Sequence, residues 1–564
     1  MPERRSVRRQ PAPARALSLN DDWAEVFNGR ALASLNAALQ EWLPSRRWFR
    51  SKARKIESVN IREQIEVPMG QQEAFLVLFQ IQYTEGGSEL YVLPLACAFG
   101  QKAEEIIHDW PQLVLAEVSL ERSRRKGVLY DAIISKEFCR ALLALTSYRH
   151  TVAGQTGGLE AEPTGVMREV RRGQGLDMEP SVSKAEQSNS SIIYKGTLIL
   201  KFFRRLDVGI NPELEIERFL SARGFPHSPP LAGALEYRNN EDQSSTMAVV
   251  TSFVPGCQDA WGDTLRSLNH FYRKVQKLPA QDKGAPATAD ASISMFGHTK
   301  LPRKPADLIG SYLQDADTLG QRTAALHLAL ASDPVDPSFC PEPWTQAAQK
   351  ILSGSLRDLT RHNFQLLRQR LTTLTPECQT LAGKVLPLES ALLQRFERIA
   401  QQPFDAMRIR NHGDYHLGQV LHHGTDFLII DFEGEPAISL EERRAKQSAL
   451  RDVAGMIYSF FYAANAALRE LQQNHKSPAQ RENIAGWGRY WSVWVGAAFL
   501  RAYLKTARSA PFIPADEKAL KVMLDAELLR KAIYELGYEL NNRPDWLNIS
   551  LQVLLDLLNP DNPI

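Results

Sequence analysis

At 564 residues the chain exceeds what one hydrophobic core usually organises, so two or more packed units are expected. Its apolar fraction of 44% and charged fraction of 23% are those of an ordinary globular protein, and 67 Lys and Arg against 65 Asp and Glu leave almost no net charge. That balance excludes a global electrostatic pull toward nucleic acid or anionic membrane, and no stretch supplies the roughly 20 apolar residues that a bilayer span needs.

The five cysteines, Cys97, Cys139, Cys257, Cys340 and Cys378, are scattered and never form a C-x-x-C pair, which fits reduced thiols in the cytoplasm. The opening MPERRSVRRQPAPAR is basic and proline-containing but lacks an apolar run. Residues 1–20 are therefore expected as a disordered tail, not a signal peptide or anchor. From Ile56 to Phe99 the runs VNIREQIEV, AFLVLFQIQY and LYVLPLACAF, separated by GQQ and EGGSE, predict a small meandering sheet, and a first subdomain is drawn over 21–105. An intermediate subdomain, 106–165, carries the helical EFCRALLALTSY and the loop GQTGGLEAEPTG. Over 166–260 a second strand-rich unit follows, in which SIIYKGTLILKFF reads as two strands around a Lys195-Gly196 turn and MAVVTSFV as another, ending at Pro255-Gly256. Helical periodicity dominates 261–564, interrupted by the small-residue stretch QDKGAPATADAS near 281–292 and by one hairpin. No internal repeat is present. The expected class is α+β, in an order that resembles bilobal kinases.

The chemistry concentrates in MRIRNHGDYHLGQVLHHGTDFLIIDFE, Met407 to Glu433, which parses as a strand, a polar loop and a hairpin turned at His423-Gly424. Phosphoryl transfer needs a carboxylate to accept the proton of the attacking hydroxyl and oxygen ligands that hold Mg²⁺ against the phosphates. Asp414 is the candidate base. Gln419 and Asp431 can converge on a metal as hard oxygen donors, and Glu433 adds a carboxylate. The order echoes the protein-kinase pattern of catalytic Asp, downstream amide and Asp-Phe-Gly, here with Gln and Asp-Phe-Glu. His412 and His416 suit ordering of the loop by hydrogen bonds better than proton transfer, and His412 is placed on the acceptor side.

On the nucleotide side, Lys201 closes the strand TLILK and can meet phosphates. Asn211-Pro212 then predicts a helix start at NPELEIERFL, with Glu213, Glu215 and Glu217 in its first turns and Glu215 favoured as partner of Lys201. Upstream, EQSNSSIIY is a polar loop entering a strand, and the backbone N–H groups of Ser188, Asn189 and Ser190 could cover phosphates without a glycine-rich pattern. The strand VVTSFVPG would connect the two lobes.

These residues together resemble a known family, the maltokinases of bacterial trehalose and α-glucan metabolism, relatives of the aminoglycoside phosphotransferases. The match is carried by EWLPSRRWFRSKAR, EQSNSSIIY, LILKFFRRL with GINPELEIERFL, LGQRTAALHLALA, HGDYHLGQVL, IIDFEGEP and YELGYELNNRPDWL, in the family's order from residue 41 to about 550. The resemblance implies a protein-kinase-like fold with an N-terminal cap subdomain and a large helical C-lobe. It implies ATP- and Mg²⁺-dependent phosphorylation of maltose to maltose 1-phosphate, with Asp414 as base and Gln419 and Asp431 as metal ligands. A trehalose synthase is the functional partner it suggests, while nucleic acid and membrane are not.

In LLRKAIYELGYELNN a helix places Leu529, Ile533, Leu536 and Leu540 on one stripe and Lys531, Tyr534, Glu535 and Tyr538 opposite. Tyrosines on the polar side suit a sugar pocket, because an aromatic face covers the apolar side of a pyranose. Similarity to the family's closing motif favours the pocket for Lys531, Tyr534 and Tyr538; burial against another helix is the alternative, and Arg543 could be structural. Two other functions stay open: a kinase for another sugar, glucosamine or an aminoglycoside, and a catalytically silent binding protein.

Overall fold

The computed structural model of the chain describes residues 15–70, 72–183, 188–279, 284–286, 303–435, 438–472 and 478–558. The expected 281–292 loop and the first fourteen residues of the tail thus lie mainly outside the described residues. The chain divides into two compact units, Met1–Arg218 with Pro229–Pro255, and Phe219–Ser228 with Gly256–Ile564. The class is α+β, as the order of strands and helices predicts.

In the first unit, β1 (Arg15–Leu19), β2 (Ile56–Met69), β3 (Gln72–Tyr83), β4 (Ser88–Phe99), β5 (Val114–Leu120) and β6 (Arg125–Asp131) form one sheet in the order β1-β5-β6-β4-β3-β2. Arg15–Leu19, within the stretch expected as tail, pair in parallel with β5. The predicted meander is β2-β3-β4. Its middle strand is apolar on both faces because both are covered: Ala74, Leu76 and Leu78 enter one core, and Val77, Phe79 and Ile81 enter another, packed with Trp42, Trp48 and Phe49. A one-residue slip in register would exchange the two sets.

A second sheet contains β7 (Thr151–Ala153), β8 (Gly157–Pro163), β9 (Pro180–Val182), β10 (Asn189–Tyr194), β11 (Leu198–Phe203), β13 (Leu231–Asn239) and β14 (Ser244–Ser252), in the order β7-β8-β13-β14-β11-β10-β9. The β10–β11 hairpin turns at Lys195 and Gly196, whose φ angles of 46° and 65° are left-handed. Between the sheets runs β12 (Arg205–Leu206), which leaves the line of β11 and pairs with β4. Leu76, Leu78 and Val92 of the first sheet share a core with Leu200, Phe202, Ala248 and Val250 of the second.

The second unit is mainly helical. Its small strands are β15 (Gln258–Asp259), β16 (Glu342–Pro343), β17 (Met407–Arg408), β18 (Val420–His423) and β19 (Asp426–Ile429); β15, β18 and β19 form one ladder and β16 and β17 another. The helix Pro478–Thr506 reads WGRYWSVWVGAAFL through its middle, apolar all round, and accordingly buries Trp487, Trp491 and Phe499. It packs closely on the helix Tyr312–Leu330 at Gly320, where a Cβ would meet the Phe499 carbonyl oxygen at 2.2 Å and the Ala502 Cβ at 3.1 Å. A backbone atom cannot yield as a side chain does. Gly320→Ala is expected to cost about 1–3 kcal/mol of stability by overpacking, read as a lower urea midpoint with an unchanged slope; an unchanged midpoint would show that the helices separate freely.

Candidate active site

From Ile409 to Gln419 the chain has little repeating structure, so its polar backbone groups need specific partners. Asp452, in the helix Leu450–Gln472 and 1% exposed, supplies two of them: His412 N donates to it at 2.7 Å and Gly413 N at 2.9 Å. His327 Nε2 lies 3.0 Å from the same carboxylate, and its Nδ1 is 2.8 Å from the Tyr503 hydroxyl. Burial alone would raise the Asp452 pKa, but the His327 hydrogen bond and charge, with His412 and the Gly413 N–H, outweigh it and hold the carboxyl below its ordinary range. Ile409 exchanges both backbone hydrogen bonds with Gln447, and Leu417 N donates to Ser459 at 3.2 Å. The loop is fixed along its length.

His412, expected on the acceptor side, is 1% exposed, its ring centroid lies 5.2 Å from Tyr415 and 5.1 Å from Phe432, and Nε2 donates to the Ile430 carbonyl at 3.0 Å. It ties the loop to the residue before Asp431, the loop-ordering role the sequence suggests. His416 also orders the loop, its Nδ1 accepting from Gly418 N at 3.0 Å. Burial lowers its pKa, partly opposed by Asp414, which favours the neutral ring.

Asp414 has a partly exposed side chain, and its Oδ1 lies 3.3 Å from Lys531 Nζ. Desolvation pushes the carboxyl up, yet Lys531, followed by His416 and His412, holds it well below the usual carboxylate range. Lys531 is 5% exposed and also meets Glu535 at 2.8 Å. Burial acts to lower its pKa, but Glu535, Asp414 and Glu435 raise it, so the ammonium stays charged. The site therefore holds an ionised carboxylate whose partner belongs to the helix Glu517–Asn542.

The β18–β19 hairpin brings the two ends of the expected metal segment together. Ile430 N donates to the Gln419 carbonyl at 3.1 Å, so Gln419 lies opposite Ile430, one residue before Asp431. Asp431 has φ 67°, a left-handed conformation that aspartate tolerates better than most residues. The hairpin is pinned by Arg322, which grips Asp426 at 2.6 and 3.2 Å, and by His422 with Asp263 at 2.9 Å. The Glu433 side chain is 8% exposed, and its carbonyl accepts from Arg443 at 3.3 Å.

Within the first unit, Lys201 Nζ lies 2.8 Å from Glu213. Glu213 is a carboxylate set against it, and the favoured Glu215 is buried in the same turns. The helix Pro212–Ala222 begins where the Asn211-Pro212 signal predicts, and Asn211 Oδ1 accepts from Glu213 N at 2.9 Å. All three acids of these turns are buried, and burial with the neighbouring Glu213 raises the Glu217 pKa well above normal. Asn189 and Ser190 open β10 opposite Phe203 and Phe202, with Ser188 just before them, and Ser190 Oγ accepts from Arg204 Nε at 3.0 Å.

On the helix Glu517–Asn542 the apolar stripe Leu529, Ile533, Leu536 and Leu540 is buried as predicted. Tyr534 is half-buried, with Lys531 Nζ 5.3 Å from its ring centroid, while Tyr538 is 40% exposed under the Arg543 guanidinium. Sequence reasoning missed several neighbours. Glu435 binds Arg530 at 3.2 Å and Arg451 at 3.4 Å, and Arg530 also holds Glu527 at 2.8 Å. Glu539 is 1% exposed; burial pushes it up to about 8, against partial relief from Ser550 and Tyr462, neither of which makes a well-directed hydrogen bond to it. Tyr462 stacks on Trp546, their rings 5.8 Å apart and 7° from parallel. The available signal was a charged residue at an otherwise apolar helix position, as in LRDVAGM for Asp452.

Residues 42–134 match the maltokinase N-terminal cap domain, and residues 179–435 match the phosphotransferase enzyme family. A glucosamine kinase of Mycolicibacterium smegmatis is 24% identical over 377 residues, 66% of this chain and 78% of that protein. One from Streptacidiphilus jiangxiensis is 23% identical over 385 residues, 66% and 72% of the two chains. The structure of a glucosamine kinase in complex with glucosamine, ADP and inorganic phosphate superposes with a TM-score of 0.56 at 18% identity, covering 89% of this chain and 94% of the other. The fold is thus the kinase-like one of these phosphotransferases. Residues 179–435 thus match a phosphotransferase-family domain and residues 42–134 a maltokinase-type cap domain, and the chain is a kinase with an alcohol group as acceptor.

The Asp414–Lys531 pair makes a pH prediction. Lys531 keeps the Asp414 pKa low, and with Asp414 in the expected role of base activity falls as pH drops through that pKa, because a carboxylate base works only when ionised. Lys531→Met is expected to raise it and to move the acidic limb of the kcat/KM profile upward by about 1–3 pH units; an unmoved limb would detach Lys531 from the group that titrates.

Proposed function

We propose that the chain is an ATP-dependent sugar kinase that phosphorylates maltose at its anomeric hydroxyl, giving maltose 1-phosphate and ADP. The observation that carries this reading is Asp414 held ionised 3.3 Å from Lys531, on the helix that also bears Tyr534 and Tyr538. In the reaction Asp414 accepts the hydroxyl proton while that oxygen bonds to the γ-phosphorus, and the bond from that phosphorus to the bridging oxygen of ADP breaks. Lys201, steadied by Glu213, offers positive charge to the phosphates, and Ser188, Asn189 and Ser190 offer backbone N–H groups. Gln419, Asp431 and Glu433 are hard oxygen donors of the kind Mg²⁺ prefers, so the residues present fit that ion. When bound it would neutralise phosphate charge.

Maltose as acceptor is supported by the maltokinase-type cap and by the tyrosines and Trp546 near one end of the helix Glu517–Asn542. Under this reading a trehalose synthase is a functional partner, the product feeds α-glucan synthesis, and the compartment is the cytoplasm. A second acceptor, glucosamine, is favoured by one observation: the curated relatives are glucosamine kinases.

Purified protein with ATP and Mg²⁺ is expected to release ADP in the presence of maltose, with NMR of the product placing phosphate on the anomeric carbon. Turnover confined to glucosamine would move the assignment to the amino sugar, and none across maltose, glucose, glucosamine and kanamycin would remove the kinase reading. Asp414→Asn should lose about 10²–10⁴-fold in kcat with nucleotide affinity little changed; near-normal turnover would take Asp414 out of the base role.

A further inference from the structure

Two helices of the second unit each hold one part of the polar loop, and each does so beside an arginine. On the helix Leu450–Gln472, Asp452 receives the N–H groups of His412 and Gly413, and Arg451 directly precedes it. On the helix Glu517–Asn542, Lys531 lies 3.3 Å from Asp414, and Arg530 directly precedes it. Both arginines end on one carboxylate. Glu435 Oε2 is 3.4 Å from Arg451 Nη2, and Glu435 Oε1 is 3.2 Å from Arg530 Nη1. The backbone before Glu435 also meets the loop. Gly434 and Gly413 have φ angles of 73° and 88°, and a Cβ on Gly413 would lie 3.3 Å from the Gly434 Cα.

Glu435 and Glu527 are each 3% exposed and Arg530 is 8% exposed. Burial acts to lower the Arg530 pKa, but Glu435 and Glu527 outweigh it, so the guanidinium stays charged. Buried ion pairs of this kind do not on balance stabilise more than apolar residues of the same volume. What they supply is geometry. A guanidinium is a rigid planar fork, and Arg530 Nε donates to Glu527 of its own helix at 2.8 Å, which fixes where Nη1 points. Nη1 points at Glu435, whose other oxygen faces Arg451 on the neighbouring helix. Asp414 belongs to the loop held by the first helix and Lys531 to the second, so the spacing of the two helices decides how close the pair can come.

We propose that Glu435 is a positioning residue for phosphoryl transfer. By bridging Arg451 and Arg530 it sets the spacing of the helix that holds the loop and the helix that bears Lys531, and through that spacing the place of the Asp414 carboxylate. That Asp414 is the base rests on the kinase reading above; the bridge between the helices does not. Glu435→Gln removes the charge that both arginines share, and Arg451→Met cuts one arm while leaving Glu435 with Arg530.

A crystal structure of Glu435→Gln tests the bridge without turnover. Lys531 Nζ is expected about 1 Å or more further from Asp414 than in the parent, with the Asp452 contacts to His412 and Gly413 kept; an unchanged separation overturns the proposal. Kinetics with ATP, Mg²⁺ and maltose, or glucosamine where the parent turns over only that sugar, test what the spacing does. Glu435→Gln should lose about 10–10²-fold in kcat with KM for ATP within about twofold. In a Lys531→Met background the same change should cost less than about twofold, because the bridge then has no ammonium to place. Equal losses in both backgrounds overturn the proposal, since general destabilisation lowers the folded fraction alike with or without Lys531. Arg451, with a side chain 12% exposed, gives the milder variant, which decides the matter where Glu435→Gln does not fold. Arg451→Met should lose about 3–10-fold in kcat, again only where Lys531 is present, and full activity overturns the bridge. Near-normal turnover of Asp414→Asn would instead strike the base reading and leave the measured separation to judge the bridge.

Discussion

The site depends on one buried charge. Asp452 is enclosed by protein, and an isolated carboxylate in such surroundings would take up a proton to escape the cost of desolvation. It stays ionised because donors converge on it: His327, and the N–H groups of His412 and Gly413. Each hydrogen bond to a charged group contributes about 1.5–3 kcal/mol, so the set offsets the burial that any one would not. The two backbone donors immediately precede Asp414. Rigidity is thereby delivered to the residues just before Asp414, the proposed base.

From Asp414 the charge continues into the helix Glu517–Asn542 as an alternating row: Asp414, Lys531 and Glu535, with Glu435, Arg530 and Glu527 beside it. Within it Glu535, Asp414 and Glu435 keep the Lys531 ammonium charged, and Lys531 in turn holds the Asp414 carboxyl low. They also join segments distant in sequence. Glu435 follows the hairpin that ends at Asp431, while Arg530 and Lys531 are adjacent on the helix of the acceptor-side tyrosines. A change at one end is therefore felt electrostatically at the other, over contacts of 2.8 to 3.4 Å.

The legible parts of this protein were those set by local chemistry. Asn211-Pro212 marks a helix start because it supplies a side-chain acceptor and a fixed φ, and Lys195-Gly196 marks a turn because it tolerates positive φ. The polar loop and the hairpin after it were legible as a pattern of residue types in order. Asp452 was not, because a lone aspartate early in an apolar helix does not announce which loop it will receive. The same limit applies to the aromatic residues around His412, which include Phe432, twenty positions away.

The stretch Leu198–Leu206 shows how a cap can matter to the strand of Lys201 while remaining a separate sheet. Its first half pairs with β10 and β14, and its second half pairs with β4 of the cap. Lys201 thus sits on a strand whose far end is held by another sheet, and the side chain at the crossover is the buried Arg204. A flexible linker at that point would let the two sheets move independently. A continuous hydrogen-bonded stretch with a buried arginine at its bend does not, because displacement of the cap must break ladder bonds or carry the lysine strand with it. The cap is therefore part of what defines the position of the lysine, even though the Lys201–Glu213 pair, considered alone, lies wholly outside it.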